Sequence, residues 1–363
     1  MAIINVPTFL FSALISILSL KYAIISTSAF EYGSEPNSIS IQMPDIRPDH
    51  KDQYLCMATR VPYNRDGHYI VGINPRSNSS YVHHMLVYAC RYPGLYQRDS
   101  PYFVWDCSSM HAPGSGDQEE STFEKGSVCA LGEEEQLVYG WAMDAPALRM
   151  PDKVGFKIGG ETGLNFLVLQ VHYGHHKQFE RLPDLTDNSR LVLDTKPGGP
   201  DSGITKRAGI LLLLSYGYVE RGRSRHEIWC QIEEDVDIHP FRFRVHTHKL
   251  GKKVLGAKIN GPKRRYSMTD GNDLTIGIGD PQQPQMFHKV REQNMTINRG
   301  DSIYAYCEFN NNQNRIVDIG QTGDDEMCNF YLMYWTSNPT LLKKYTCVQR
   351  NPSLARSLYN LLP

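Results

Sequence analysis

The stretch Leu164-Asn-Phe-Leu-Val-Leu-Gln-Val-His-Tyr173, set between Gly163 and Gly174, reads as a β-strand: apolar and β-branched residues dominate it and glycine bounds both ends. Alternate side chains of a strand share a face, which groups Phe166, Val168, Gln170 and His172. Tyr81-Val-His-His-Met-Leu-Val-Tyr88, Phe241-Arg-Phe-Arg-Val-His-Thr-His248 and Ser302-Ile-Tyr-Ala-Tyr-Cys-Glu-Phe309 have the same character and similar Gly, Pro, Asn and Asp borders. Long helical periodicity is absent. The expected fold class is all-β, a pair of antiparallel β-sandwiches that bury alternate residues.

A chain of 363 residues has room for two such cores, and 40% hydrophobic content can fill them. The net charge of -1 creates no overall field for nucleic acid or an anionic membrane. With 10% aromatic residues, the composition is the reverse of the disordered signature. An apolar run from Thr8 to Leu20 followed by Ser26-Thr-Ser-Ala29 has the order of a secretory signal peptide over 1–29, cleaved after Ser28 or Ala29. No Lys or Arg precedes Lys21, which leaves retention as an anchor open. After residue 30 the densest apolar run, Ile210 to Leu214, is strand-sized, so no membrane span is expected in the mature chain. The expected location is the secretory pathway, in a granule lumen or outside the cell.

Eight cysteines, an even number, suit that oxidising compartment and four disulfides, with the connectivity open. Cys56, Cys90, Cys107 and Cys129 fall in the first half, and Cys230, Cys307, Cys328 and Cys347 in the second. Between them Lys196-Pro-Gly-Gly-Pro-Asp-Ser-Gly203 reads as a linker, which gives an N-terminal domain over 30–195 and a C-terminal domain over 204–363. Asn78-Ser-Ser and Asn294-Met-Thr are glycosylation sequons, and the polar stretch 108–128 reads as a mobile loop.

Familiar catalytic motifs fail. His226-Glu-Ile-Trp-Cys230 opens like a zinc-protease motif but ends in Cys, and Gly277-Ile-Gly279 lacks the third glycine of a dinucleotide site. Gly251-Lys252 is followed by Lys253 where a phosphate loop needs Ser or Thr, and no Gly-x-Ser-x-Gly occurs. The 13 histidines are more informative. His246 and His248, two apart on a strand, can present both imidazoles to one ion; two surface histidines are the plain alternative. His83 and His84 point to opposite faces of a flat strand, so they reach one ion only where the strand is twisted, bulged or ending. His172 alone reads more readily as a satisfied core histidine. Met327 sits beside a half-cystine in the polar run Asp324-Asp-Glu326, a poor place for a core residue, yet alone it still reads more readily as a gap-filling methionine and gains weight as a ligand only in combination. Two imidazoles and a thioether suit copper and suit magnesium or calcium poorly.

Together, Val82-His-His-Met85, Val154-Gly-Phe-Lys-Ile-Gly-Gly-Glu-Thr-Gly163, Leu167-Val-Leu-Gln-Val-His-Tyr-Gly174, Arg244-Val-His-Thr-His248 and Asp325-Glu-Met-Cys-Asn329 resemble the copper type II, ascorbate-dependent monooxygenases, most closely their peptidylglycine-hydroxylating members. The order and spacing hold from about Tyr54 to Cys347. The resemblance implies two jelly-roll sandwiches, each with a copper site facing a solvent-filled interdomain cleft. It implies one copper on His83, His84 and His172 for electron transfer, and a catalytic one on His246, His248 and Met327 for oxygen chemistry. It further implies the disulfides Cys56 with Cys107, Cys90 with Cys129, Cys230 with Cys347, and Cys307 with Cys328. The implied reaction installs a hydroxyl on the α-carbon of the C-terminal glycine of a glycine-extended peptide, with O2 as cosubstrate and two ascorbates giving one electron each. This is the first step of peptide C-terminal amidation.

The substrate end decides the branch. Arg244, two residues before His246 on the same strand face, can pair with a peptide carboxylate. Asn329 and Tyr331 match family positions that touch that carboxylate, and Tyr54 aligns with an aromatic near the same pocket. Relatives that hydroxylate phenylethylamines act on an amine, which an arginine repels. The chain stops at Pro363, without room for a fused lyase, so a separate peptidyl-hydroxyglycine lyase is the expected downstream partner. Two other readings stay open: a hydroxylase of small amines, and a non-catalytic secreted metal-binding sandwich.

Overall fold

The computed structural model describes residues 37–95, 103–107, 121–174, 176–262, 274–320 and 322–351. The signal sequence and residues 108–120 of the expected loop lie outside them. Strands dominate. The first half contains β1 (Ser38–Gln42), β2 (Gln53–Arg60), β3 (His68–Arg76), β4 (His84–Cys90) and β5 (Val104–Asp106). It continues with β6 (Glu135–Ala142), β7 (Leu148–Arg149), β8 (Val154–Ile158), β9 (Phe166–Tyr173), the short helix α1 (Lys177–Arg181) and β10 (Arg190–Pro197). The second half contains β11 (Lys206–Val219), β12 (Gly222–Gln231), β13 (His239–His246), β14 (Gly251–Ile259) and β15 (Leu274–Gly279). After these come β16 (His288–Lys289), β17 (Ser302–Asn311), β18 (Val317–Asp318), β19 (Asn329–Thr336) and β20 (Thr346–Asn351).

Each half is two sheets around a core. In the first, β5-β2-β9-β4-β6 and β1-β10-β3-β8 enclose Leu55, Val87 and Leu169 against Ile70, Phe156 and Leu193. In the second, β12-β17-β14-β15 and β11-β19-β13-β16 enclose Ile228 and Val254 against Phe330 and Leu332. A short parallel pairing of β8 with β11, Val154 to Lys206 and Gly155 to Arg207, carries one sheet through both halves. Disulfides Cys56–Cys107, Cys90–Cys129, Cys230–Cys347 and Cys307–Cys328 stay within the halves. Strand β10 runs on to Pro197, so the first two residues of the expected linker pair with β3, where a proline at a strand end costs no ladder bond. The sequon residues Asn78 and Asn294 are exposed, and among the described residues no helix is long and apolar enough to cross a membrane.

The apolar run of β11 positions the functional residues. Ala208, Ile210, Leu212 and Leu214 join the first half's core, whereas Leu211 and Leu213 join the second's. A strand buried on both faces needs no polar alternation, which is why the sequence there is continuously apolar. Tyr331 and Met333 of β19 lie on the same side as Leu212 and also join the first core. The two halves therefore meet through a hydrophobic face.

One buried pair predicts acid sensitivity. His226 of β12 is 2% exposed, its Nδ1 lies 3.2 Å from Ser215 Oγ, and its ring meets Phe309 edge-on. Burial pushes its pKa down to about 4 from 6.5. The fold takes this histidine neutral, so its stabilising contribution is complete above pH 6.5 and is lost as pH falls toward 4, by about 3 kcal/mol. Urea denaturation at pH 7 and pH 4.5 should show that decline in the native protein and a flatter one in His226→Gln. An equal decline in both would place the acid sensitivity elsewhere.

Candidate metal centre

Strand β4 begins at His84, and His83 lies just outside the pleat with its N–H donating to His172 O at 2.8 Å. The β4–β9 register sets His84 opposite His172. Because the strand starts between the two adjacent histidines, both turn the same way. His83 Nδ1 lies 3.2 Å from His172 Nδ1 and 3.3 Å from His84 Nδ1, and one ligand nitrogen from each ring falls within 4.8 Å of the others. His172 Nε2 is 3.2 Å from Asp52 Oδ1, so the proton sits on Nε2 and the Nδ1 lone pair faces the cluster. Burial, then the neighbouring His172 and His83, holds His84 well below its ordinary pKa. Three imidazoles with ligand nitrogens gathered this closely fit a transition metal. Tyr54 of β2 stacks on His172 with ring centroids 4.1 Å apart and meets His84 edge-on at 5.7 Å.

On the other side, β13 ends at His246, and His248 follows two residues later with ring centroids 5.3 Å apart. His246 Nδ1 donates to Gln285 Oε1 at 2.5 Å and His248 Nδ1 to the Asp325 carbonyl at 2.9 Å. Both rings thus carry their proton on Nδ1 and offer Nε2. Among the described residues His248 Nε2 is buried with no hydrogen-bond partner, as expected of an atom reserved for a ligand. Met327 lines the same small space as His246, and Asn329 Nδ2 lies 3.6 Å from its Sδ. Glu326 sets the turn by accepting the N–H groups of His248, Leu250 and Met327. Two imidazole nitrogens and a thioether form a softer donor set than the three histidines opposite.

The β13–β19 register places Arg244 beside Tyr331 and His246 beside Asn329. Arg244 is 1% exposed; its Nε donates to Gln285 O at 2.8 Å and its guanidinium lies 4.9 Å from the Tyr331 ring centroid. Burial lowers its pKa, and among the described residues no carboxylate forms an ion pair with it. Room for it comes from the first half: a Cβ on Gly140 would lie 3.5 Å from Arg244 Nη1 and 3.1 Å from Leu86.

The two clusters face each other closely. Ring centroids are 5.3 Å apart for His83 and His248 and 5.9 Å for His84 and His246. Tyr54, Leu86, Arg244, Met327 and Tyr331 close the space between, leaving about 10 Å³, scarcely one water. The expected solvent-filled cleft is shut in this structure, because the apolar face of β11 and β19 draws the first half's sheet onto it. Tyr54 lies at this seam as well as against the first cluster.

Residues 39–180 match the family model of the copper type II ascorbate-dependent monooxygenase N-terminal domain, and residues 206–359 match that of the C-terminal domain. The chain belongs to this family. It is 33% identical over 333 residues to peptidyl-glycine alpha-amidating monooxygenase B of Xenopus laevis, covering 90% of this chain and 33% of that protein. It is 31% identical over 335 residues to peptidylglycine alpha-amidating monooxygenase of Rattus norvegicus, covering 90% and 29%. Dopamine beta-hydroxylase of Homo sapiens is 23% identical over 319 residues, covering 84% and 47%. The chain therefore spans about a third of the length of its amidating relatives. Family membership implies copper and ascorbate, and four disulfides accord with a secretory-pathway protein. Three residues that shape the site escaped the sequence reading: Asp52, Gln285 and Glu326. Gln285 sits in the aperiodic run Pro281-Gln-Gln-Pro-Gln285, where nothing local marks it.

Proposed function

We propose that this copper monooxygenase hydroxylates the α-carbon of the C-terminal glycine of glycine-extended peptides. The observation that carries the reading is Arg244, a buried cation that has no carboxylate partner among the described residues and shares a pocket with His246 and Met327. Burying an unpaired charge is costly, and a substrate carboxylate removes the cost when it binds. Tyr331, stacked under the guanidinium, and Asn329, 3.5 Å from the Tyr331 hydroxyl, complete a polar wall for that group. With the carboxylate held there, the glycine α-carbon lies on the His246–His248–Met327 side.

Two metal ions are assigned, one to His83, His84 and His172 and one to His246, His248 and Met327. Bound copper supplies the redox chemistry with O2 and ascorbate; the protein supplies orientation. Tautomers fixed by Asp52, Gln285 and the Asp325 carbonyl hold the donor nitrogens in place, and the seam, with about 10 Å³ free, has to open to admit the peptide's C-terminus. The product, an α-hydroxyglycine peptide, then requires a lyase to release the amide.

Oxygen uptake with copper, ascorbate and an N-acyl-glycine tests this reading, with stoichiometric hydroxylated product expected. A fully metallated protein that leaves the substrate unchanged overturns it. Likeness to dopamine beta-hydroxylase supports a second reading, an amine hydroxylase, which competition between a glycine-extended peptide and phenylethylamine decides.

A further inference from the structure

One carboxylate touches both halves at the seam. Asp52, in the turn leading into β2, accepts from His172 Nε2 and from the Gly323 N–H, each at 3.2 Å from the same Oδ1. Gly323 belongs to the turn Thr322–Asp325 of the second half, whose Asp325 carbonyl fixes His248 and whose chain continues into Met327. The turn is itself braced: Thr322 N–H and Oγ1 donate to Asp325 Oδ2, and Arg315 donates to the Asp324 carbonyl. Beside this contact Lys51 Nζ pairs with Asp324 Oδ2 at 2.9 Å and with Asp52 Oδ2 at 3.5 Å. Asp52 has φ 57, a left-handed conformation that a non-glycine residue keeps only where its surroundings over-determine it.

We infer that Asp52 is a positioning residue at the centre of an interdomain clasp: one carboxylate oxygen orients His172 and anchors the turn that orients His248 and carries Met327. The two donor clusters are thereby tied to one geometry across the seam. The Lys51–Asp324 pair, with side chains 56% and 70% exposed, contributes little alone. Asp52, with its side chain 11% exposed and its Oδ1 shared between the halves, carries the clasp. Without its contact the β11 face still joins the halves as a hinge, but the seam edge that carries the 322–325 turn swings away from the first half, and the second half moves with it. The inference rests on the two-site reading above.

Spin labels at Lys177→Cys and Lys252→Cys, exposed positions in opposite halves of a protein whose eight native cysteines are all paired, report the separation. In the metal-free protein Asp52→Ala should shift the distance distribution to longer values and broaden it. Asp52→Asn, which keeps an oxygen acceptor but loses the charge, should shift it less. Copper titration should show first-site affinity reduced about 10–100-fold in both variants, as losing a histidine's outer partner does, with the second site unchanged. Lys51→Met should leave both affinities at the native value. Thermal melts confirm folding, and a variant that does not fold is replaced by Gly323→Pro, which removes the donor N–H and leaves the Asp52 side chain in place. An unchanged distance distribution in folded Asp52→Ala or Gly323→Pro overturns the clasp, and an unchanged first-site affinity in Asp52→Asn overturns the orienting role. Because distances are read without metal or substrate, a clasp that opens in a protein inert toward glycine-extended peptides would fault the substrate reading alone.

Discussion

A Met327→Ile protein should fold, keep its first-site copper affinity and hydroxylate a glycine-extended peptide at least about 100-fold more slowly, the upper end of what losing a mere outer partner costs. Met327 is fixed from both sides in the chain: Glu326 is buried and holds three backbone N–H groups, and Cys328 is tied to Cys307. Isoleucine is similar in volume, and such apolar exchanges cost less than about 1.5 kcal/mol, so the melting temperature should move by a few degrees at most. What the exchange removes is the sulfur lone pair, the soft donor beside two imidazoles whose Nε2 atoms are already freed by Gln285 and the Asp325 carbonyl. Single-turnover rates and a copper titration together measure the effect. A Met327→Ile enzyme at the native rate removes the thioether from the site.

The all-β class was legible because strand periodicity is a local property: β9 and β13 announce themselves in eight residues each. The run Ile210 to Leu214 shows where that stops. Its apolar continuity identifies a buried strand, but that one face serves the first half and the other the second is a fact of tertiary packing. The same holds within the site. His246 and His248 declare themselves by spacing, whereas the convergence of His83 with His84 depends on a strand start between them that period-two reasoning does not locate. The residues that set ring tautomers were hidden more completely. Asp52 and Gln285 lie 120 and 39 positions from the histidines they orient, and a single carboxylate or amide in a loop has no pattern to be read. The closed seam was equally out of reach, since it reflects how two preformed sheets dock.

Arg244→Met should raise the KM for a glycine-extended peptide about 10–100-fold, leave kcat within a few-fold, and leave the fold at least as stable as before. The two parts have one cause. Arg244 is a desolvated cation whose visible partners are a carbonyl, a glutamine side chain and the face of Tyr331, none of them an anion. Charge-assisted hydrogen bonds are worth about 1.5–3 kcal/mol each, and one such contact to a substrate carboxylate accounts for the expected loss of affinity. In the free enzyme the same desolvation counts against folding, so an apolar side chain of similar length is neutral or stabilising there. The carboxylate keeps its charge while the neighbouring α-carbon C–H bond breaks, so the contact is equally strong in the ground and transition states, which confines the defect to KM. A substrate whose C-terminal carboxylate is replaced by an amide separates carboxylate recognition from general packing. The native enzyme should discriminate against it by the factor that Arg244→Met loses, while the variant should treat the two substrates alike. A variant that still prefers the carboxylate would move its recognition to another residue and leave the buried cation unexplained by substrate binding.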